Sequence, residues 1–413
     1  MFMANDRVVL KELALQVANL SADPSNEAKR ELWRKHNGLQ GNKPVVFVHP
    51  DGAWSELLPH SSLACEDGWA RDIEYTLRQR IIRAAVIGDD VPIEKSLHVQ
   101  KSYLSINEGW GLVPDRVYSA EEAGAWRYAP VVSVPSDWKK LKKPVLDVDE
   151  KAALRRFTEA RDVLGSILDV SLTGIKSFSF HMMHLYCELR GLNEMMMDLV
   201  LEPDMVHDVI SFFTEGWQEY IGQCVKAGLI SLNNDDTFHY TGGVGYTDEL
   251  PAQGLDGENA RLCDVWGAAE AQEFAQVSPE MHEEFILQYE RKLLEPFGLN
   301  GYGCCDDLTK KLDNVLKIKN LRRISICPWA NVEVCAEKLK KNYIMSWKPQ
   351  PAYLAMEPFN ESFLEDYLER ELAKAKQGYP EIVLRDTHTC KHEPVRFTKF
   401  VEIARRVIDR VYC

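Results

Sequence analysis

LNGYGCCDD (299–307), RRISICPW (322–329), YIMSWKP (343–349) and EIVLRDTHTC (381–390) share one form. Each opens on a short strand-like run and closes on cysteine, lysine, aspartate or histidine. Outward from these four, the chain alternates repeatedly from residue 229 between strand-like runs and amphipathic helices. Strands are expected at 229–234, 299–303, 322–326, 343–347 and 381–385, and helices at 279–296, 306–318, 331–341, 360–377 and 394–412. Strand, crossover helix and strand in repetition predict parallel neighbours and right-handed crossovers. Further strands are expected at 44–49, 97–106 and 176–180, with helices near 66–87, 148–165 and 203–228. The sum predicts an α/β protein, a closed (β/α)8 TIM-type barrel. A doubly wound sheet would carry a glycine-rich phosphate turn after an early strand. Gly242, Gly243 and Gly245 come late and with the wrong spacing for that.

The segment up to about Asn42 has apolar residues three and four apart in VVLKELALQVANL. It predicts an N-terminal helical extension, 1–42, packing outside a barrel of residues 43–413. No linker, repeat or low-complexity run marks another boundary. With 45% apolar residues in 413, a large core can be buried. A net charge of −14 repels phosphate backbones and anionic lipid, so neither nucleic acid nor a membrane surface is an expected partner. Charges at Asp6, Arg7, Lys11 and Glu12 break any signal-peptide core, and no apolar run reaches the roughly 18 residues of a membrane span. Ten cysteines without a disulfide-framework spacing fit reduced thiols and a cytoplasmic location. Cys65, Cys187, Cys224, Cys263, Cys335 and Cys413 are expected to be inert. A homo-oligomer is compatible with the sequence.

In barrels of this type catalytic residues come from the C-terminal ends of the strands. Asp235, Asp236 and His239 follow the first run of the series, Cys304, Cys305, Asp306 and Asp307 the second, and Trp329, Lys348 and the 386–390 segment the others. His388 and Cys390 are one residue apart, which in extended chain points both to one face. Imidazole and thiolate suit zinc, and Cys304 or Cys305 is the expected third ligand, leaving a fourth position for substrate. The alternatives are small buried cysteines and a histidine bonded to a loop carbonyl. Asp306 is expected to ligate or to cap the next helix. His239 is expected to touch substrate or make a loop hydrogen bond, and Asp235 and Asp236 to position substrate or move protons. Trp329 and Lys348 are candidates for holding a cofactor, with Trp347 a further pocket wall. His181 and His184 are expected to serve helix packing.

WGAAEAQEFAQVSPEMHEEFILQYERKLLEPFGLNGYGCCDD, LRRISICPWANV, SWKPQPA and LRDTHTCKHEPVRF together resemble the uroporphyrinogen decarboxylase-like superfamily. More closely they resemble its anaerobic branch, associated with corrinoid-dependent methyl transfer and O-demethylation. CEDGWARDIEYTLRQRIIRAAVIGDD and LRGLNEMMMDLVLEPDMVHDVI fit the same branch, so the likeness runs from about residue 30. It implies a (β/α)8 barrel, zinc on a His-x-Cys pair plus a later Cys, a small methyl donor, and a partner protein carrying a corrinoid (cobalamin). Cys304, Cys305 and Cys390 match that pattern; tyrosine and glycine stand where the paired histidine would precede Cys304 or Cys305, and Asp306 replaces a glutamate. No arginine-rich motif lies near PVVFVHPDGAW, which argues against tetrapyrrole decarboxylation. A lyase acting on a tetrapyrrole and a non-catalytic corrinoid- or metal-binding accessory barrel are the competing readings.

Overall fold

The computed structural model describes residues 2–103, 106, 109–118, 126–255 and 259–412. The strands that position the site are β1 (Val46–Val48), β2 (Ser96–Gln100), β3 (Asp169–Thr173), β4 (Ser179–Phe180), β5 (Trp266–Ala269), β6 (Leu299–Tyr302), β7 (Leu321–Ile326), β8 (Ile344–Trp347) and β9 (Tyr379–Leu384). Seven of them form one parallel sheet in the order β1-β9-β8-β7-β6-β5-β4, and β2 pairs in parallel with β3. The main helices are α1 (Ala4–Ser21), α2 (Ser25–Asn37), α3 (Gly68–Ile82), α4 (Glu150–Leu164), α5 (Met182–Arg190), α6 (Pro203–Lys226), α7 (Val332–Leu339), α8 (Glu361–Lys374) and α9 (Val395–Tyr412). Asparagine side chains start two of the crossovers: Asn331 accepts Val334 N before α7, and Asn360 accepts Phe363 N before α8. No helix among the described residues is long and apolar enough to cross a membrane.

The architecture is the expected parallel α/β one, with a difference at closure. A closed barrel needs eight strands in one continuous ladder, whereas the continuous run here has seven. The other edge of β1 is bonded not by a strand but by the segment before β2, through two carboxylates and one backbone bond. Asp90 Oδ2 accepts Val46 N at 2.7 Å, Asp89 Oδ2 accepts Val48 N at 2.9 Å, and Asp90 N donates to Val46 O at 3.0 Å.

Three expected elements are also corrected. LISLNN (229–234) contributes only a bridge between Ile230 and Ile175, and the strand in that part of the sheet is β5, whose Trp-Gly-Ala-Ala carries neither alternation nor β-branching. The helix expected over 306–318 shrinks to Leu312–Val315. Asp306 accepts Cys304 N at 3.2 Å and Asp307 accepts Thr309 N at 2.9 Å, so local turns take the chain instead. The run expected at 97–106 stops at Gln100; Ser102–Tyr103 pairs antiparallel with Val148–Asp149. Positions 104 and 105 lie outside the described residues, as does Cys413.

The N-terminal helices do more than lie outside. On α1, Leu10, Leu13 and Val17 pack into a core with Ile73, Leu77 and Leu164. The end of α2 enters the sheet's concave side: Trp33 is fully buried and donates to Asp90 O, and Asn37 Nδ2 donates to Val244 O at 2.9 Å and Tyr246 O at 2.6 Å. A hairpin, closed by a bridge between Phe238 and Val244, lies beside it against the inward residues of four strands. An added Cβ on Gly242 would stand 1.9 Å from Ser346 Oγ, and one on Gly301 2.4 Å from the His239 ring. The strand residues facing this hairpin are polar: Arg323 and Ser325 on β7, Ser346 on β8 with Lys348 beyond it, and Glu381 on β9. All five are buried.

Candidate active site at the strand ends

The C-terminal ends of the strands present Glu270 (after β5), Cys304 and Cys305 (after β6), Lys348 (after β8) and Arg385 with Asp386 (after β9). The hairpin adds Tyr240, and the turn after β4 adds His181. Beside them opens a cavity of about 660 Å³ walled by Tyr103, Phe178, His181, Trp217, Tyr220 and Tyr240 among others. Its volume and mixed aromatic and polar wall suit a small organic ligand. Tyr240 joins the cavity to the thiols: its ring lies in the wall, and its hydroxyl is 3.7 Å from Cys304 Sγ.

Cys304 Sγ and Cys305 Sγ are 3.5 Å apart, with Cys304 buried and Cys305 exposed. The Cys305 thiol's hydrogen bond pulls Cys304 down to about 7 against its burial, and the charges of Lys348 and Arg385 act in the same direction. Cys305 is pushed up in return by that same bond and by burial. Of the two sulfurs, Cys304 is thus the more readily ionised, and part of it is thiolate near neutral pH. Lys348 is buried; its ammonium donates to Thr241 O at 2.8 Å and to Ser325 Oγ. The Arg385 guanidinium lies over the Tyr240 ring and donates to Tyr240 O at 3.3 Å. Asp386, at φ 58°, sits 3.6 Å from Cys305 Sγ and donates its N–H to Asp51 Oδ2.

The sequence-predicted residues are only partly gathered here. Cys390 is buried elsewhere in its loop, where Glu56 accepts its Sγ at 3.1 Å and its N–H at 2.9 Å. Burial, and then the bond to Glu56 with its charge, push the Cys390 thiol up to about 11. His388 is exposed and lies against Gly52. No three of Cys304, Cys305, His388 and Cys390 bring ligand atoms within 4.8 Å of one another, so as a quartet they do not fit one zinc ion. The group among the described residues that meets this limit is His98, Asp235 and Asp236. It could hold a metal, but the Lys176 ammonium already pairs with Asp235, whose carboxyl it holds low against burial.

His239 Nε2 lies 3.3 Å from Gly267 O of β5, and burial drops it to about 3, leaving it neutral inside the sheet. Asp306 neither caps a helix nor joins the thiols as a ligand cluster; it closes the Cys304 turn, and burial pushes it up to about 6. Trp347 is core, 1% exposed against Tyr367, while Trp329 is 69% exposed on a separate surface depression. His181 and His184 wall the cavity; His184 also links to Glu188 one turn on along its own helix, whereas His181 stands just before that helix. They and Glu270 are what sequence reasoning missed. His181 directly follows β4, and Glu270 directly follows β5, so strand-end position was the signal for both. The nine described cysteines are all free thiols.

No family model and no curated protein matches the chain. Among solved structures it is similar to a methyltransferase from Methanosarcina mazei at 11% identity, with a TM-score of 0.51, over 93% of this chain and 98% of that one. At that identity the two share a fold, and nearly the whole of each chain takes part in it.

Proposed function

We propose that this chain is a methyltransferase. It takes a methyl group from a small donor in the 660 Å³ cavity and passes it to a reduced corrinoid on a separate protein. The observation that carries this reading is the Cys304 sulfur: easily ionised at the end of β6, it lies 3.7 Å from the hydroxyl of Tyr240 in the cavity wall, in a fold also found in a methyltransferase. The chemistry of such a site needs an electron-rich sulfur and fixed positive charge where the leaving heteroatom gains electrons. Lys348 and Arg385 place positive charge near Cys304, and Tyr240 stands between the cavity and the thiol. The zinc and the methoxylated donor implied by the resemblance belong to this proposal too. Of the four expected ligands only Cys304 and Cys305 are together, so no step is assigned to a metal.

The tetrapyrrole lyase reading is weaker, because a substrate with many carboxylates needs several cations, and of the two on the described cavity wall, Arg116 and His184, the second is already bonded to Glu188 and Glu273. The test is formation of methylcobalamin from cob(I)alamin and a panel of methylated oxygen, nitrogen and sulfur donors, followed by absorbance. Transfer by the wild type and its loss in Cys304→Ala are expected. Zinc content, measured on both proteins by mass spectrometry, tells loss of a metal ligand from loss of a bare thiolate. Transfer unchanged in Cys304→Ala overturns the proposal.

A further inference from the structure

HMMHLYCEL (181–189) places two histidines on the cavity wall, and their partners differ. His184 has both ring nitrogens engaged: Nδ1 with Glu273 Oε1 at 2.9 Å and Nε2 with Glu188 Oε1 at 3.1 Å. Those two carboxylates push it up to about 10, so it is a charged structural link. His181 is held from one side alone. Its Nδ1 meets Glu270 Oε1 at 2.6 Å, and no partner for Nε2 occurs among the described residues. Glu270 is fully buried, and its second oxygen accepts Gln272 N at 2.8 Å, so the carboxylate cannot swing away. The imidazole stands edge-on to Tyr240, with ring centres 4.3 Å apart, in the wall shared with Gln272 and Ser179. An imidazole fixed at Nδ1 by a buried carboxylate, with Nε2 left for a ligand, is the arrangement of an oriented proton donor and acceptor.

We propose that His181 and Glu270 form an acid–base dyad, in which His181 Nε2 protonates the heteroatom of the methyl donor as its bond to the methyl carbon breaks. This rests on the methyltransferase reading of the same cavity. As the carbon–heteroatom bond breaks, its electron pair stays on the heteroatom, which takes the proton from Nε2. The methyl carbon bonds to the electron pair of the acceptor. Glu270 stabilises the imidazolium beforehand and keeps Nδ1–H pointed away from the ligand afterwards; solvent returns the proton. Glu270 is therefore the positioning residue and His181 the catalytic one. The other titratable groups around the ring are Tyr240 at its edge and His184, Glu188 and Arg116 along the same wall.

The dyad makes a distinction among donors. Unless protonated, an ether leaves as an alkoxide and methanol as hydroxide, whereas a quaternary ammonium or sulfonium donor leaves neutral and needs no proton. The experiment compares wild type, His181→Gln and Glu270→Gln for methyl transfer to cob(I)alamin, from methyl ethers, methanol and tetramethylammonium, across pH. Circular dichroism and the thermal midpoint check each fold. For oxygen donors His181→Gln is expected to lower kcat about 100-fold or more with little change in KM, and to remove the alkaline fall of the pH profile. Glu270→Gln is expected to show a smaller loss and a shifted profile. Transfer by the wild type from quaternary donors alone overturns the dyad while the methyltransferase stands. So does an unchanged pH profile in a folded His181→Gln protein. A wild type that transfers from no donor defeats the function and the dyad together.

Discussion

Arg323→Met tests whether the polar hairpin interior is a real core. Arg323 and Glu381 are both 0% exposed, and the guanidinium Nε lies 3.0 Å from Glu381 Oε1. Arg323 Nη2 also donates to Asn37 Oδ1 at 2.6 Å, tying α2 to β7. Removing one member of such a buried pair costs about 3–5 kcal/mol, since the other is left charged and unpaired. The sign of the pH dependence follows from the carboxyl. Burial alone would raise Glu381, but Arg323 and then His36, at 3.3 Å, bring it down to about 2. In the wild type this group's contribution is fully present above the ordinary carboxylate range and is lost only as pH falls through about 2. Without Arg323, a proton settles on Glu381 or His36, and the folded variant binds one more proton than its unfolded chain at pH 8. Its stability then falls as pH rises, by up to about 1.4 kcal/mol per pH unit. Urea unfolding at about pH 5.5 and about pH 8, followed by tryptophan fluorescence and circular dichroism, should show the larger deficit at the higher pH. Arg323→Met with Glu381→Leu should recover most of it. A deficit under about 1 kcal/mol at pH 8, or one that does not change with pH, would refute the reasoning.

Three further outcomes are expected. Glu56→Gln should cost about 1–3 kcal/mol, because Glu56 accepts bonds from Thr389, Cys390 and His392, and should raise the rate at which a thiol reagent labels Cys390; unchanged labelling counts against that anchor. Alkylation of Cys304, followed by peptide mass spectrometry, should titrate near pH 7 in the wild type and at higher pH in Cys305→Ala, which removes the bond that lowers it most. Gly242→Ala should abolish folding or cost several kcal/mol, since its Cβ would lie 1.9 Å from Ser346 Oγ and 2.8 Å from Glu381 Oε1; a melting temperature equal to wild type would show that the hairpin yields freely.

The elements from residue 299 onward were legible because their strands are runs of four to six residues with apolar positions in each, and helices follow β7, β8 and β9. β6 to β9 fall within two residues of their expected bounds. What failed was of another kind. LISLNN has a strand's composition, yet its Asn233 side chain bonds to Lys176 O and Trp266 O, replacing a ladder by one amide. β5 is built of Gly and Ala because Phe297 lies within 2.7 Å of where a Gly267 side chain would begin, so close packing erased the pattern that would have revealed it. The thiol pair was readable from its place behind β6. The separation of Cys390 was not, because its cause, Glu56, lies more than three hundred positions away in sequence.

The polar alternation Arg323-x-Ser325 and Ser346-x-Lys348 was visible in the sequence and has a further consequence for the site. In an ordinary barrel these inward positions hold branched apolar layers. Here they hold the hairpin, and the same contacts set the chemistry. Lys348 and Ser346 both donate to Thr241 O, while Arg385 donates to Tyr240 O. Adjacent carbonyls of one short turn are thus gripped by two cations and a hydroxyl, and this fixes the Tyr240 side chain between His181 and Cys304. The proposed proton donor on one side and the Cys304 sulfur on the other are therefore spaced by the interior of the fold rather than by surface loops. Loosening that interior at Ser346 should disturb both sides of the cavity together. Ser346→Ala removes one of these bonds without adding volume, and should alter Cys304 alkylation and ligand affinity in parallel. An effect on only one of the two would show that the hairpin merely fills space.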